Sequence, residues 1–185
     1  MFIENGVVIP KHIAGLLISA IISDTLLLKS PTSTRTDAKM IDFLAPIAGI
    51  DPDVYAIEMF TEAASIKDVA SEDLLKMDVK SFNIAKKKIR VAQVMTMDMD
   101  EVKKRKDDLL NLMKETIEKN QEDTFVLMIT DILKEYSLVL VQGSYKESIA
   151  AAFDKELVDN EFTVDGLLSR KKQMIPAISK KIETL

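Results

Sequence analysis

The chain has 185 residues, of which 47% are hydrophobic and 30% charged, a balance that supports a folded core and excludes a disordered polymer. A net charge of −5, with Lys and Arg interspersed among Asp and Glu, leaves no basic face for nucleic acid. With no cysteine there is no disulfide, thiolate nucleophile or Cys-ligated zinc, and one histidine supports neither a His-based zinc site nor a Ser-His-Asp triad.

In chain order, Met1-Phe2-Ile3-Glu4-Asn5 reads as the last turn of a helix stopped by Gly6. Residues 1–10 are therefore read as the remnant of a preceding domain and a linker. No basic n-region or cleavage pattern marks a signal peptide there. Lys11 to Ser23 is apolar nearly all round, as a fully buried helix is. Its most apolar run, Ile13 to Ile22, is about half a bilayer span and ends at Asp24, so it reads as core and not as membrane. After the loop Ser30-Pro31-Thr32-Ser33, Thr34 and Asp37 have the spacing of a capping box. The helix they open carries Met40, Ile41, Leu44, Ile47 and Ala48 and stops at Gly49, with Pro46 expected to kink or fray its last turn. Asp51-Pro52 starts another helix through about Ala64. Ser71-Glu72-Asp73 begins a short one ending near Met77.

The pattern then changes. Lys88 to Met95 reads as a strand, and Met99 to Lys119 as one long helix with Val102, Leu109, Met113 and Ile117 along one side. Phe125 to Ile129 is a continuous apolar run, typical of a strand covered on both faces. Ser137 to Gln142 repeats it, and Gly143-Ser144 turns into a helix around Ile149 to Phe153. Phe162-Thr163-Val164 and Leu167-Leu168 are short strand candidates, and Met174 to Ile182 closes the chain as a helix. The fold class is α/β (α+β): a helical N-terminal portion followed by a mixed β-sheet flanked by helices.

Few residues offer chemistry. His12 starts a buried helix and reads as structural. The five glycines form neither a P-loop nor a G-x-G-x-x-G, so nucleotide chemistry has no anchor. Asp24 ends an apolar helix where the dipole is itself negative, so a cation beside it would be stabilising. Plain exposure to solvent is the alternative, and one carboxylate makes no metal site alone. Lys80 sits at the junction between the helical front and the first strand. Asp131 reads as a helix cap in preference to a second polar group in a cleft, and Lys86-Lys87-Lys88 as a hairpin-like surface turn. Ser169-Arg170-Lys171-Lys172-Gln173 is the densest cationic stretch, and it is either a solvated turn or a local site for a small anion. Arginine there offers a planar fork to two oxygens and lysine a compact charge.

That pentapeptide, with Ser19-Ala20-Ile21-Ile22-Ser23-Asp24-Thr25, resembles the C-terminal domain of the manganese-dependent (family II) inorganic pyrophosphatases of the DHH superfamily. Ile13-Ala14-Gly15-Leu16, Lys29-Ser30-Pro31-Thr32, Ile89–Val94 and Ile129-Thr130-Asp131-Ile132-Leu133 extend the resemblance along the chain. It implies a DHH-associated C-terminal substrate-binding domain over residues 11–185 and an activity that hydrolyses diphosphate to two phosphates. By the same resemblance Asp24 is a metal ligand, and Lys80, Arg170 and Lys171 hold the pyrophosphate oxygens. The implied cofactor is Mn2+ in a binuclear site, with Mg2+ accompanying the substrate. The metal ligands of the family's N-terminal Asp-His-His domain are absent here, so that domain is the implied partner and this chain alone is expected to be inactive. A cytoplasmic, homodimeric parent without nucleic-acid or membrane partners is also implied. The alternatives are an exopolyphosphatase or other DHH phosphoesterase part, or a stand-alone anion-binding or docking module.

Overall fold

The structure, a computed structural model, describes residues 2–185; Met1 of the expected helix remnant lies outside the described residues. Ahead of Gly6, Ile3–Asn5 form a single 3₁₀ turn. The chain divides into two compact units, Met1–Ala63 and Ala64–Leu185.

The described part of the first unit consists of helices: α1 (Lys11–Thr25), α2 (Arg35–Ala48) and α3 (Pro52–Ala63) follow the short turn. The Thr34 hydroxyl accepts the Asp37 N–H at 3.3 Å while the Asp37 carboxylate accepts the Thr34 N–H at 2.7 Å, completing the capping box. Gly49 closes α2 in the left-handed region at φ 66°, its N–H bonded to the Ala45 carbonyl. Pro46 is accommodated within that last turn, which continues to Ala48. The Asp51 carboxylate caps α3 by accepting the N–H groups of Asp53 and Val54. Helix α1 departs from the expected all-round burial. Ala14, Ile18 and Ile22 are buried along one stripe, but Leu16 is 67% and Leu17 41% exposed, because α2 and α3 cover only one side of it.

The second unit is built on a sheet of five strands in sequence order: β1 (Lys80–Ile84), β2 (Lys87–Thr96), β3 (Thr124–Asp131), β4 (Tyr136–Gly143) and β5 (Glu161–Asp165). The β2/β3 pair is parallel and the other pairs are antiparallel, so the sheet is mixed. Side-chain alternation sorts the strands into two cores. Ala92, Val94, Phe125, Leu127, Ile129, Leu138 and Leu140 pack with α4 (Ser71–Leu74), α5 (Met99–Lys104) and α6 (Lys106–Asn120). On the opposite face Ile89, Val91, Val126, Met128, Val139 and Val141 pack with α7 (Lys146–Ala151) and α8 (Ile175–Ile182). Every residue of β3 is buried, as its apolar run predicts. The β1–β2 hairpin turns on Ala85 and Lys86, both left-handed at φ 49° and 65°, as a two-residue hairpin requires. Gly143, at φ 113°, brings the end of β4 so close to Asp123 that a Cβ would overlap its carbonyl.

Three local readings are corrected. The long helix is two, α5 and α6, broken at Arg105, whose guanidinium donates to the carbonyls of Ile66, Lys67 and Val69 as well as to Glu101. Leu167-Leu168 is not a strand. Both residues are buried outside the sheet, and the Leu167 carbonyl accepts the Ser137 hydroxyl at 2.5 Å. Asp131 caps no helix; it ends β3 and its carboxylate accepts the N–H groups of Leu133 and Lys134 in the turn to β4. The final helix is preceded by a wide π-helical turn, Arg170–Met174, in which the Met174 N–H reaches the Ser169 carbonyl.

Candidate functional site

Arg170 opens the wide turn, and its position is fixed from below by a buried polar chain. Gln93, on strand β2, is 7% exposed, so its amide needs partners from the protein itself. Its amide oxygen accepts the Arg170 N–H at 3.3 Å, and its NH₂ donates to the Leu168 carbonyl at 3.2 Å and the Thr130 hydroxyl at 3.3 Å. Thr130 pairs with the Ser137 hydroxyl at 2.9 Å, and Ser137 holds Leu167. From the other end of the turn, the Gln173 side chain accepts the N–H groups of Leu168 and Ser169 at 2.9 Å each and donates to the Gly166 carbonyl. The Ser169 hydroxyl accepts the Lys172 N–H. Residues 166–173 are thus braced from the sheet and from within.

The Arg170 side chain is itself buried, which a solvated basic turn would not require. Its Nη2 donates to the Asp78 carboxylate at 2.8 Å and its Nη1 reaches the Val91 carbonyl at 3.4 Å. Lys171, the next residue, is exposed, and so is Lys80 at the first position of β1. These three cations line one small cavity of about 150 Å³, with Phe82 and Ile175 as its apolar wall. Two-residue periodicity puts Phe82 on the same face of β1 as Lys80, and four-residue spacing puts Ile175 over Lys171. One braced guanidinium and two exposed ammonium groups meeting over an apolar wall suit a compact, multiply charged anion. Two larger cavities, of about 370 Å³ beside α6 and about 710 Å³ among α1 and α2, contain none of these residues. Volume is the poorer guide here, because the first of these is lined by acids and bases together and the second mainly by apolar side chains.

Asp24 lies in the first unit, exposed on the last turn of α1. The chain leaves that helix through Leu26, Leu27 and Leu28, all left-handed at φ 49°, 51° and 63°. Such backbone costs about 1–2 kcal/mol per non-glycine residue. Thr25 anchors it: its hydroxyl donates to the Ile21 carbonyl and accepts the Leu28 N–H, and its carbonyl accepts the Ser30 N–H. Among the described residues no cluster of three or more His, Cys, Asp or Glu is arranged to hold a metal. Asp24 therefore offers one oxygen ligand, and a hard divalent cation needs several more. His12 is exposed at the start of α1 and joins none of these groups.

Lys80, Arg170 and Lys171 are the sequence-predicted residues that the fold gathers; Asp78, Gln93 and Gln173 were not singled out as site residues. Gln93 carried a signal, a carboxamide among the apolar residues Val91, Ala92 and Val94 of a strand. Asp78 carried none beyond its nearness to Lys80.

The DHHA2 domain family matches residues 57–181, most of the second unit. The chain is 46% identical over 179 residues to a "probable manganese-dependent inorganic pyrophosphatase" of Staphylococcus haemolyticus, covering 97% of this chain and 58% of that protein. It is 45% identical over 185 residues to a protein of the same description from Lactobacillus helveticus, covering 99% of this chain and 60% of that one. The crystal structure of a "putative family II inorganic pyrophosphatase" from Methanococcus jannaschii superposes with a TM-score of 0.82 at 38% identity, over 94% of this chain and 57% of that one. This chain therefore spans less than two thirds of the length of each of these relatives.

Proposed function

We propose that this chain, which belongs to the DHHA2 domain family, is the substrate-gripping part of a manganese-dependent inorganic pyrophosphatase. The observation that carries the proposal is the convergence of Lys80, Arg170 and Lys171 on one small cavity, with Arg170 braced by Gln93. In this reading Arg170 holds and orients a phosphate oxygen from a fixed position, while Lys80 and Lys171 close on the remaining charge. Each charge-assisted hydrogen bond contributes about 1.5–3 kcal/mol. The cavity's small volume supports a short anion over a long polyphosphate.

The described residues do not by themselves fit a manganese centre. Asp24 is assigned one ligand position, and an Asp-His-His domain supplies the others. Bound there, the binuclear metal would provide a hydroxide nucleophile and Lewis acidity. The apolar side chains left exposed in the first unit, with the groove lined by Leu17, Ile21, Met40 and Phe43, support a further polypeptide layer packing there. Magnesium arriving with the substrate, a homodimeric parent and a cytoplasmic location belong to the same reading. Among the described residues no helix is long and apolar enough to cross a membrane.

The test is reconstitution. The chain alone should release phosphate from pyrophosphate at background rate with or without manganese. Added Asp-His-His domain should restore hydrolysis of pyrophosphate over tripolyphosphate. Arg170→Ala, folded by circular dichroism, then lowers the restored rate by about 10²–10³. Robust hydrolysis by the chain alone, or full activity of Arg170→Ala, would overturn the assignment.

A further inference from the structure

Asp78 is the residue nearest the proposed anion site that the function leaves without a role. Its carboxylate lies 2.8 Å from Nη2 of Arg170, yet it is 59% exposed while the arginine side chain is 7% exposed. A carboxylate is an odd companion for an anion-gripping arginine. It occupies one arm of the fork and cancels much of the charge the ligand is drawn to. Nor is it needed to hold Arg170 in place, because Gln93 fixes the arginine backbone and the Val91 carbonyl lies beside Nη1.

We propose that Asp78 tempers Arg170: it is the counter-ion that keeps the cavity's grip on phosphate oxygens weak enough for phosphate to leave. The proposal rests on the reading of this cavity as a pyrophosphate site. Among the described residues no carboxylate is paired with Lys80 or Lys171 as Asp78 is with Arg170, so they attract the incoming anion at full charge. Arg170 engages only as its pairing with Asp78 is shared or exchanged. Asp78 thus acts on the ligand through Arg170, as a positioning residue.

Asp78→Asn isolates the effect, because Asn is nearly isosteric and its amide oxygen still accepts a hydrogen bond from Nη2 while the charge is gone. The measurement is metal-free calorimetric titration of the full chain with inorganic phosphate and with pyrophosphate at low salt. Asp78→Asn is expected to bind both anions about three- to fivefold more tightly than the wild type, the range of a partly exposed ion pair. The gain should shrink with added salt. In an Arg170→Ala background the same substitution should produce no gain, which closes a double-mutant cycle. Weaker binding by Asp78→Asn would mean that Asp78 only braces the arginine, and a gain that persists without Arg170 would be general charge removal. Either result overturns the proposal. Equal, Arg170-dependent binding by wild type and Asp78→Asn overturns it while leaving the pyrophosphate reading intact. Failure of every variant to bind either anion removes both. Because Asn still accepts a hydrogen bond from the buried Arg170 side chain, the variant should keep a cooperative urea transition, which serves as the folding control.

Discussion

The two compact units use apolar sequence in opposite ways. In Ala64–Leu185 the sheet has helices on both faces, and its largest apolar side chains, among them Phe125, Met113 and Ile149, are fully enclosed. In Met1–Ala63 three helices enclose a narrow stripe and leave Leu16, Leu17, Phe43, Val54 and Ile57 between 41% and 67% exposed. Single exposed apolar side chains are ordinary, and the second unit has Met77, Met95, Leu133, Val158 and Leu185, but these are spread over about twice as many residues. The chemistry divides the same way. Lys80, Arg170 and Lys171 belong to the sheet-containing unit, and Asp24 belongs to the helical one.

Core truncation should break the comparison if it is wrong, and it has the largest expected effect. Phe125→Ala should destabilise the chain by about 3–5 kcal/mol, the usual cost of an aromatic cavity. Leu16→Ser should change stability by no more than about 0.5 kcal/mol, since that side chain is already in water. Urea unfolding followed by circular dichroism reads both. Comparable losses for the two would show that α1 is as fully packed as its sequence suggests.

A middle-sized effect is expected at Gln93, where the second unit's packing and its site coincide. Gln93→Leu keeps the volume but strips partners from the Arg170 N–H, the Leu168 carbonyl and the Thr130 hydroxyl. Leaving buried groups unpaired costs about 1–3 kcal/mol each. Stability should fall by at least one such step, and metal-free phosphate binding should weaken with it as Arg170 loses its fixed position. Lost stability with unchanged binding would separate the brace from the site.

What the sequence disclosed follows the same division. Local signals were legible in full: Thr34 with Asp37, Gly49, Asp51-Pro52, and the apolar runs of β3 and β4 each depend on residues a few positions apart. Events decided by distant partners were not. The break at Arg105 is tied to carbonyls of residues 66, 67 and 69 captured by its side chain, and no local pattern encodes that. The apolar pair Leu167-Leu168 has strand composition, but Ser137 and Gln93 hold it outside the sheet. The cationic character of the site was visible in Arg170 and Lys171, and its convergence with Lys80 came through resemblance. The burial of Arg170 and its pairing with Asp78 across 92 positions were beyond reach of either.

The smallest expected effect sharpens the comparison by addressing the first unit alone. The Thr34 hydroxyl and N–H both donate to the Asp37 carboxylate, and they hold its carboxyl below the ordinary value of 3.8. A carboxyl whose folded pKa is depressed contributes stability at pH above the unfolded value and loses it as pH falls through the folded value. The capping box should therefore add stability at neutral pH, and its contribution should fade below about pH 3.8. Thr34→Ala removes the hydroxyl and relaxes the carboxyl toward its ordinary value. The difference in urea midpoint between wild type and variant should accordingly be present at pH 7 and narrow on acidification. Asp37→Asn, which cannot ionise, should lower the midpoint at pH 7 and show the same convergence at low pH. Because the box sits at the start of α2, backbone amide exchange should report the change in α1–α3 and leave the amides of β3 and β4 unmoved. Equal loosening of both units would mean that they unfold as one body, and that the exposed leucines of α1 reflect no independence of the first unit at all.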